Sequence, residues 1–243
     1  MDLVPISIAM LDRPAEAMRA ATRRPRSWWL PALLLVAGTV VSLWATAPLG
    51  AQQADQRTAQ MVARVTARMS AEQAQQVRQN SAPMTVQRYL LTGIGGIVVT
   101  GALALVARGA IAHFASMAAG GNSVWGPTFA ATTWSLLPFF LRDILQAAFV
   151  LTRRRLIEHQ GLSFLIASGN WLQDSGNLLY AALSQVDLFA LWHIVLLGVG
   201  ISAATRLGWR GGLLLAIVIW LVMLGVSLIP VVLGRALGAG PMG

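Results

Sequence analysis

The chain alternates long apolar runs with short polar segments. Apolar residues dominate positions 28–49, 89–117, 128–151, 186–205 and 212–233. At a rise of 1.5 Å per residue the last run covers about 33 Å, against a hydrocarbon core of about 30 Å. The pattern therefore predicts an all-α, polytopic membrane bundle of about five transmembrane helices, forming a single membrane domain over 1–243. Trp28, Trp29 and Trp44 lie near the ends of the first run, and Trp209 stands just before the fifth. Aromatic residues anchor at those depths. Ala45-Thr46-Ala47 also fits a signal-peptide cleavage site. The basic stretch before it is long, however, and Pro48 would follow the cut, so the run reads as a retained span.

Finer patterning adds detail. In the second run Thr92, Gly96, Thr100 and Ala104 recur every four residues on one face. Small residues at that spacing let helix backbones approach closely in lipid, and contact within the bundle is expected rather than contact between copies. The third run contains Pro138, which should kink its helix and free a backbone carbonyl for a neighbour to satisfy. Between the first two runs lies the one clearly hydrophilic segment, 51–82. It carries a weak helical stripe of Ala54, Thr58, Met61, Val65 and Met69, a capping box at Ser70 and Gln73, and Pro83 as a stop. This reads as a helical, hairpin-like excursion outside the membrane, either a docking surface or a solvated connector. Near the start, Asp12 fits a helix cap with Pro14 in the first turn, and the helix through about Arg23 should lie on the membrane surface. A short amphipathic stretch over 176–185 leads into the fourth run.

Composition agrees with a membrane chain. Hydrophobic residues make up 56% and charged residues 11%, whereas a soluble domain carries about 25% charged residues. The net charge is +9, and all 18 basic residues are arginine. Many flank the apolar runs, as headgroup-facing cations do, so nucleic acid is not an expected partner. Arg13, Arg19, Arg23, Arg24 and Arg26 place the N-terminus in the cytoplasm and, with five spans, the C-terminus outside. Arg206 and Arg210 agree with that orientation; Arg153, Arg154 and Arg155 oppose it. The absence of cysteine excludes disulfides and thiolate chemistry.

Few residues suggest chemistry. Arg142 and Asp143 are adjacent ionisable residues inside the third run, where such groups cost several kcal/mol unless paired or hydrated. Neighbours at i and i+1 point about 100° apart on a helix, so they need not pair with each other. Their alternative place is the outer interface. His193 reads as a buried hydrogen-bonding residue sooner than a relay or ligand, and Asp187 as the cap of the fourth span. His113 and His159 stand apart, so no metal site is expected. No phosphate loop or nucleophile elbow is present, and no nucleophile–base pair can be named. Neither a catalytic residue nor a cofactor nor a small-molecule substrate is therefore expected.

Three segments resemble the Yip domain family (Ypt/Rab-interacting proteins) in its bacterial form. They are DRPAEAMRAATRRPRSWWLPALLL, AAGGNSVWGPTFAATTWSLLPFF and VDLFALWHIVLLGVGIS. The last is similar to the family's D-x-F-x-x-W pattern, here Asp187, Phe189 and Trp192. The resemblance implies a non-enzymatic five-helix bundle with a cytoplasmic N-terminus, in a bacterial inner membrane. It implies helix contact and interface placement for those three residues. Bacterial members also suggest an accessory role beside another membrane protein, possibly an ABC exporter. The competing expectation is a small transporter or channel built on the span broken at Pro138, with Arg142 and Asp143 lining the path.

Overall fold

A computed structural model describes residues 3–67 and 69–236. All regular structure among them is helical. Two short helices, α1 (Leu3–Asp12) and α2 (Pro14–Arg23), precede α3 (Trp29–Thr66). There follow α4 (Ala71–Asn80), α5 (Val86–Ala118), α6 (Trp125–Trp134), α7 (Leu137–Arg153), α8 (Trp171–Gly176), α9 (Leu178–Leu183), α10 (Leu188–Thr205) and α11 (Trp209–Ala236). Five segments are long and apolar enough to cross a bilayer: Pro25–Thr66, Val86–Ala118, Trp125–Arg153, Leu188–Thr205 and Trp209–Ala236.

α10 is the centre of the bundle, touching α2, α5, α6, α7 and α11. It is also the shortest span, 18 residues or about 27 Å. Its close contact with α11 depends on glycine. A Cβ on Gly198 would stand 3.0 Å from the Leu213 Cα, and one on Gly212 would stand 2.6 Å from the Gly198 carbonyl. The α3–α7 crossing has the same origin, since a Cβ on Gly38 would lie 2.7 Å from the Phe140 ring. Small residues set helix separation in lipid because no apolar driving force pulls the helices together.

The N-terminal helices depart from expectation. The cap position of α2 is Arg13, with no side-chain hydrogen bond, and Pro14 begins the helix. Asp12 instead ends α1, an apolar helix too short to read as a span. α2 does not merely lie on the surface. Its Ala17, Met18 and Ala21 share a buried cluster with Ile6 and Met10 of α1, Trp134, Leu137 and Leu196. The two helices thus wedge into one end of the bundle, leaving Asp12, Arg13 and Glu16 exposed in ion pairs.

The hydrophilic segment is also arranged differently. Its first arm is not a separate helix, because α3 continues through Pro48 to Thr66, 38 residues or about 57 Å. Ser70 and Gln73 do form the reciprocal capping box of α4, at 3.4 Å each way. The chain then returns beside α3, where the Met84 amide donates to Asp55 at 3.1 Å. The stripe residues Met61 and Val65 point outward and are exposed.

Two groups of connections mark the two ends. At one end the 119–124 link meets the end of α10, with the Asn122 amide donating to the Thr205 carbonyl at 2.9 Å. Pro25, just after α2, sits against Gly126 there. At the other end Trp171 of α8 donates to Gln60 of α3 at 2.6 Å, under the Arg57 guanidinium, and Arg235 of α11 donates to the Gly176 carbonyl. Gly161 turns the chain at φ +54° against the carbonyls of Leu183, Ser184 and Val186, where a side chain has no room.

The second span lies at the edge. The small-residue stripe on α5 faces outward, contrary to the expected internal contact: Thr92 and Thr100 are exposed, and a Cβ on Gly96 meets nothing within 4 Å. Gly93, one turn before Gly96, and Gly109, further along, are the close-contact positions, against Leu43 and Phe129.

Candidate functional site

The site begins at the break in the third span. Pro138 does more than kink the helix. α6 ends at Trp134, and α7 restarts at Leu137 with Pro138 in its first turn. The Phe139 amide turns to the Leu136 carbonyl at 3.0 Å, which leaves the Ser135 carbonyl without its α-helical donor. His193 of α10 supplies the replacement, through Nδ1 at 2.8 Å. A carbonyl only accepts, so Nδ1 carries the hydrogen. Trp134 is fixed separately by its Nε1 donating to the Ser27 hydroxyl at 2.9 Å. The break is therefore held from α10 and from the turn before α3.

One turn further, α7 presents Arg142 and Asp143. They diverge, as adjacent helical residues must, with a nearest approach of 3.9 Å between Nε and Oδ1. Asp143 is buried and accepts a hydrogen bond from the Thr39 hydroxyl of α3 at 2.7 Å. Arg142 lies over the Phe139 ring, 4.8 Å from its centroid, and reaches Asp187 at 3.4 Å. Asp187 is the N-cap of α10, its other oxygen accepting from the Ala190 amide at 2.7 Å. One carboxylate thus ends α10 and neutralises Arg142.

The Arg142–Asp187 pair divides two hollows. The deeper one, a cavity of about 70 Å³, is lined by Arg142 with Arg108, Thr132, Gln185, His193 and Ser227 among others. The outer one has Arg142 and Asp187 in its wall together with Phe189, His159 and Gln160. Trp192 faces elsewhere, against the cluster containing α1 and α2. The sequence-marked positions Pro138, Arg142, Asp143, Asp187, Phe189 and His193 therefore converge, and Trp192 does not. Among the described residues no three histidine or acidic side chains gather as metal ligands.

Arg108, Thr39 and Gln185 belong to this region and escaped sequence reading. A signal for Arg108 existed, since it is the one arginine within the apolar run 89–117, and an intramembrane cation is a functional candidate by default. Thr39 and Gln185 carry no such signal.

A Yip1 domain model matches residues 8–229, nearly the whole chain. The chain belongs to the Yip1 family. No curated protein and no solved structure matches it. The family is one of non-enzymatic membrane proteins, and five apolar helices make this member a multi-pass one. Within its Yip1 domain, the D-x-F-x-x-W residues divide their work. Asp187 ends a helix and pairs with an arginine, Phe189 walls the outer hollow, and Trp192 contacts the N-terminal wedge.

Proposed function

We propose that this Yip1-family chain is a non-catalytic accessory subunit that pairs within the bilayer with a second membrane protein, using α5. The observation that carries this is the outward small-residue face of α5. A Cβ on Gly96 meets nothing within 4 Å, and Thr92 and Thr100 are exposed on the same face. Such a face admits a foreign helix at close range. Met61 and Val65, exposed on the same side of the sequence insert, offer a contact outside the membrane. An ABC exporter is the partner class suggested by the resemblance to bacterial members. The accompanying orientation is an N-terminus on the cytoplasmic side of a bacterial inner membrane, supported by five arginines between residues 13 and 26.

The chain has no native cysteine, so single cysteines report cleanly. Thr100→Cys should crosslink in native membranes to one other membrane protein, and Gly96→Leu should abolish this while the purified chain stays folded. Crosslinking only to itself, or an unchanged partner yield in Gly96→Leu, rejects the reading.

A second reading, a small transporter or channel, is favoured by the two hollows meeting at Arg142 and Asp187. There Arg142→Leu should abolish flux in proteoliposomes without unfolding the chain; proteoliposomes of the wild type that show no flux reject it.

A further inference from the structure

Arg108 has no ion-pair or hydrogen-bond partner among the described residues. The ion pairs of this region engage Arg142 with Asp143 and Asp187, and no carboxylate, carbonyl or hydroxyl among the described residues pairs with Arg108. It sits inside an apolar span, about 15 Å along the helix from Ala118. It lines the same hollow as Arg142, so two guanidinium groups share one low-dielectric space. Asp187 already neutralises Arg142, so the uncompensated charge is that of Arg108, and an unpaired arginine at such depth costs several kcal/mol. An anion beside Arg108 would remove that penalty and reach the remaining donors of Arg142.

The helices show how an anion could enter. α5 and α11 meet where Ala112 shares a cluster with Ala216 and Ile219. Beyond that point they part. α5 leans onto α3, with Gly93 against Leu43 and Tyr89 against Gly50, while α11 contacts α8 and α9. The hollow lies in the resulting gap, with Trp220, Met223 and Ser227 of α11 on one side and Arg108 on the other. Its wall mixes apolar side chains, Trp220 and Met223 among them, with Arg108 and Arg142.

We propose that this hollow binds the phosphoryl group of an anionic ligand, held between Arg108 and Arg142, with acyl chains or solvent filling the gap between α5 and α11. Planar guanidinium forks match phosphate oxygens in pairs. Gln185 and Ser227 supply further polar atoms. The inference rests on neither functional reading above.

The test uses the full purified chain in detergent, titrated separately with phosphatidylglycerol, phosphatidylcholine and inorganic phosphate, and read by native mass spectrometry and thermal unfolding. One retained phosphatidylglycerol per chain, weakened roughly tenfold in Arg108→Gln, is expected from losing one charge-assisted contact. Arg108→Lys should lie between the two, and Arg210→Gln, at the far end, should match the wild type. Binding of phosphatidylglycerol over phosphatidylcholine identifies a lipid headgroup. Binding of inorganic phosphate alone identifies a soluble anion in the same site. Binding of neither, or equal binding by a folded Arg108→Gln protein, overturns the proposal.

Discussion

His193 shows how one side chain can hold a broken helix in shape. Its imidazole is buried and donates to a carbonyl that has lost its helical donor. Leaving that carbonyl unpaired costs about 1–3 kcal/mol. His193→Leu should therefore lower stability by about that amount, whereas His193→Asn, whose amide nitrogen can stand in for Nδ1, should recover much of it. Thermal unfolding of the purified variants by circular dichroism decides this. A His193→Leu protein as stable as the wild type would mean that water already serves Ser135. At this scale the sequence was partly readable. Asp187 as a cap follows from an acidic residue immediately before an apolar run. The Asp187–Arg142 pair does not, because the two residues are 45 positions apart and meet only once α7 and α10 are side by side.

Elements were legible as runs but not as faces. Hydropathy located the five spans, and Pro138 marked where the third would fail. It could not show that α6 and α7 are separate helices, since the apolar run passes unbroken through the turn. Nor does a four-residue period say which face it serves. The stripe at Thr92, Gly96 and Thr100 points out, while isolated glycines at 38, 109, 198 and 212 make the close contacts. Their signal is missing from sequence because each answers to a distant neighbour. This separates two substitutions. Gly212→Ala places a methyl 2.6 Å from the Gly198 carbonyl, backbone that cannot move aside, and should cost about 1–3 kcal/mol by forcing α10 from α11. Gly96→Ala should leave stability unchanged or raise it slightly, by helix propensity of up to about 1 kcal/mol. Equal unfolding temperatures for the two variants would contradict the assigned faces.

The whole molecule has two chemically distinct ends. One gathers α2, the 119–124 link and Arg210; the other gathers the distal part of α3 with α4, α8 and α9. Proposed orientation then becomes a labelling experiment in spheroplasts. Gln56→Cys and Leu165→Cys should react with an impermeant maleimide, and Arg23→Cys and Arg210→Cys only after permeabilisation. Reaction of the second pair first would invert the chain. Arg153, Arg154 and Arg155, which opposed this orientation in sequence, fall at the end of α7 away from α2. What sequence reading missed at this scale is the wedge of α1 and α2. A ten-residue helix that includes Ser7 and Asp12 is too short to suggest a bundle element, and only Trp134 and Leu196, far along the chain, reveal where it goes.

The shortness of α10 has a further consequence for the surrounding lipid. A central helix of about 27 Å stands among spans of 28 residues or more, and α9 ends four residues before its cap. Phe164, Leu165 and Leu179 are exposed in the segment that leads to that cap. Where α10 meets lipid, that shortness predicts a hydrophobic mismatch and a locally thinner bilayer. Short-chain lipids relieve it and long-chain lipids aggravate it. Reconstituted protein should resist unfolding best in thin bilayers, and in a membrane of uneven thickness it should collect where the membrane is thinnest.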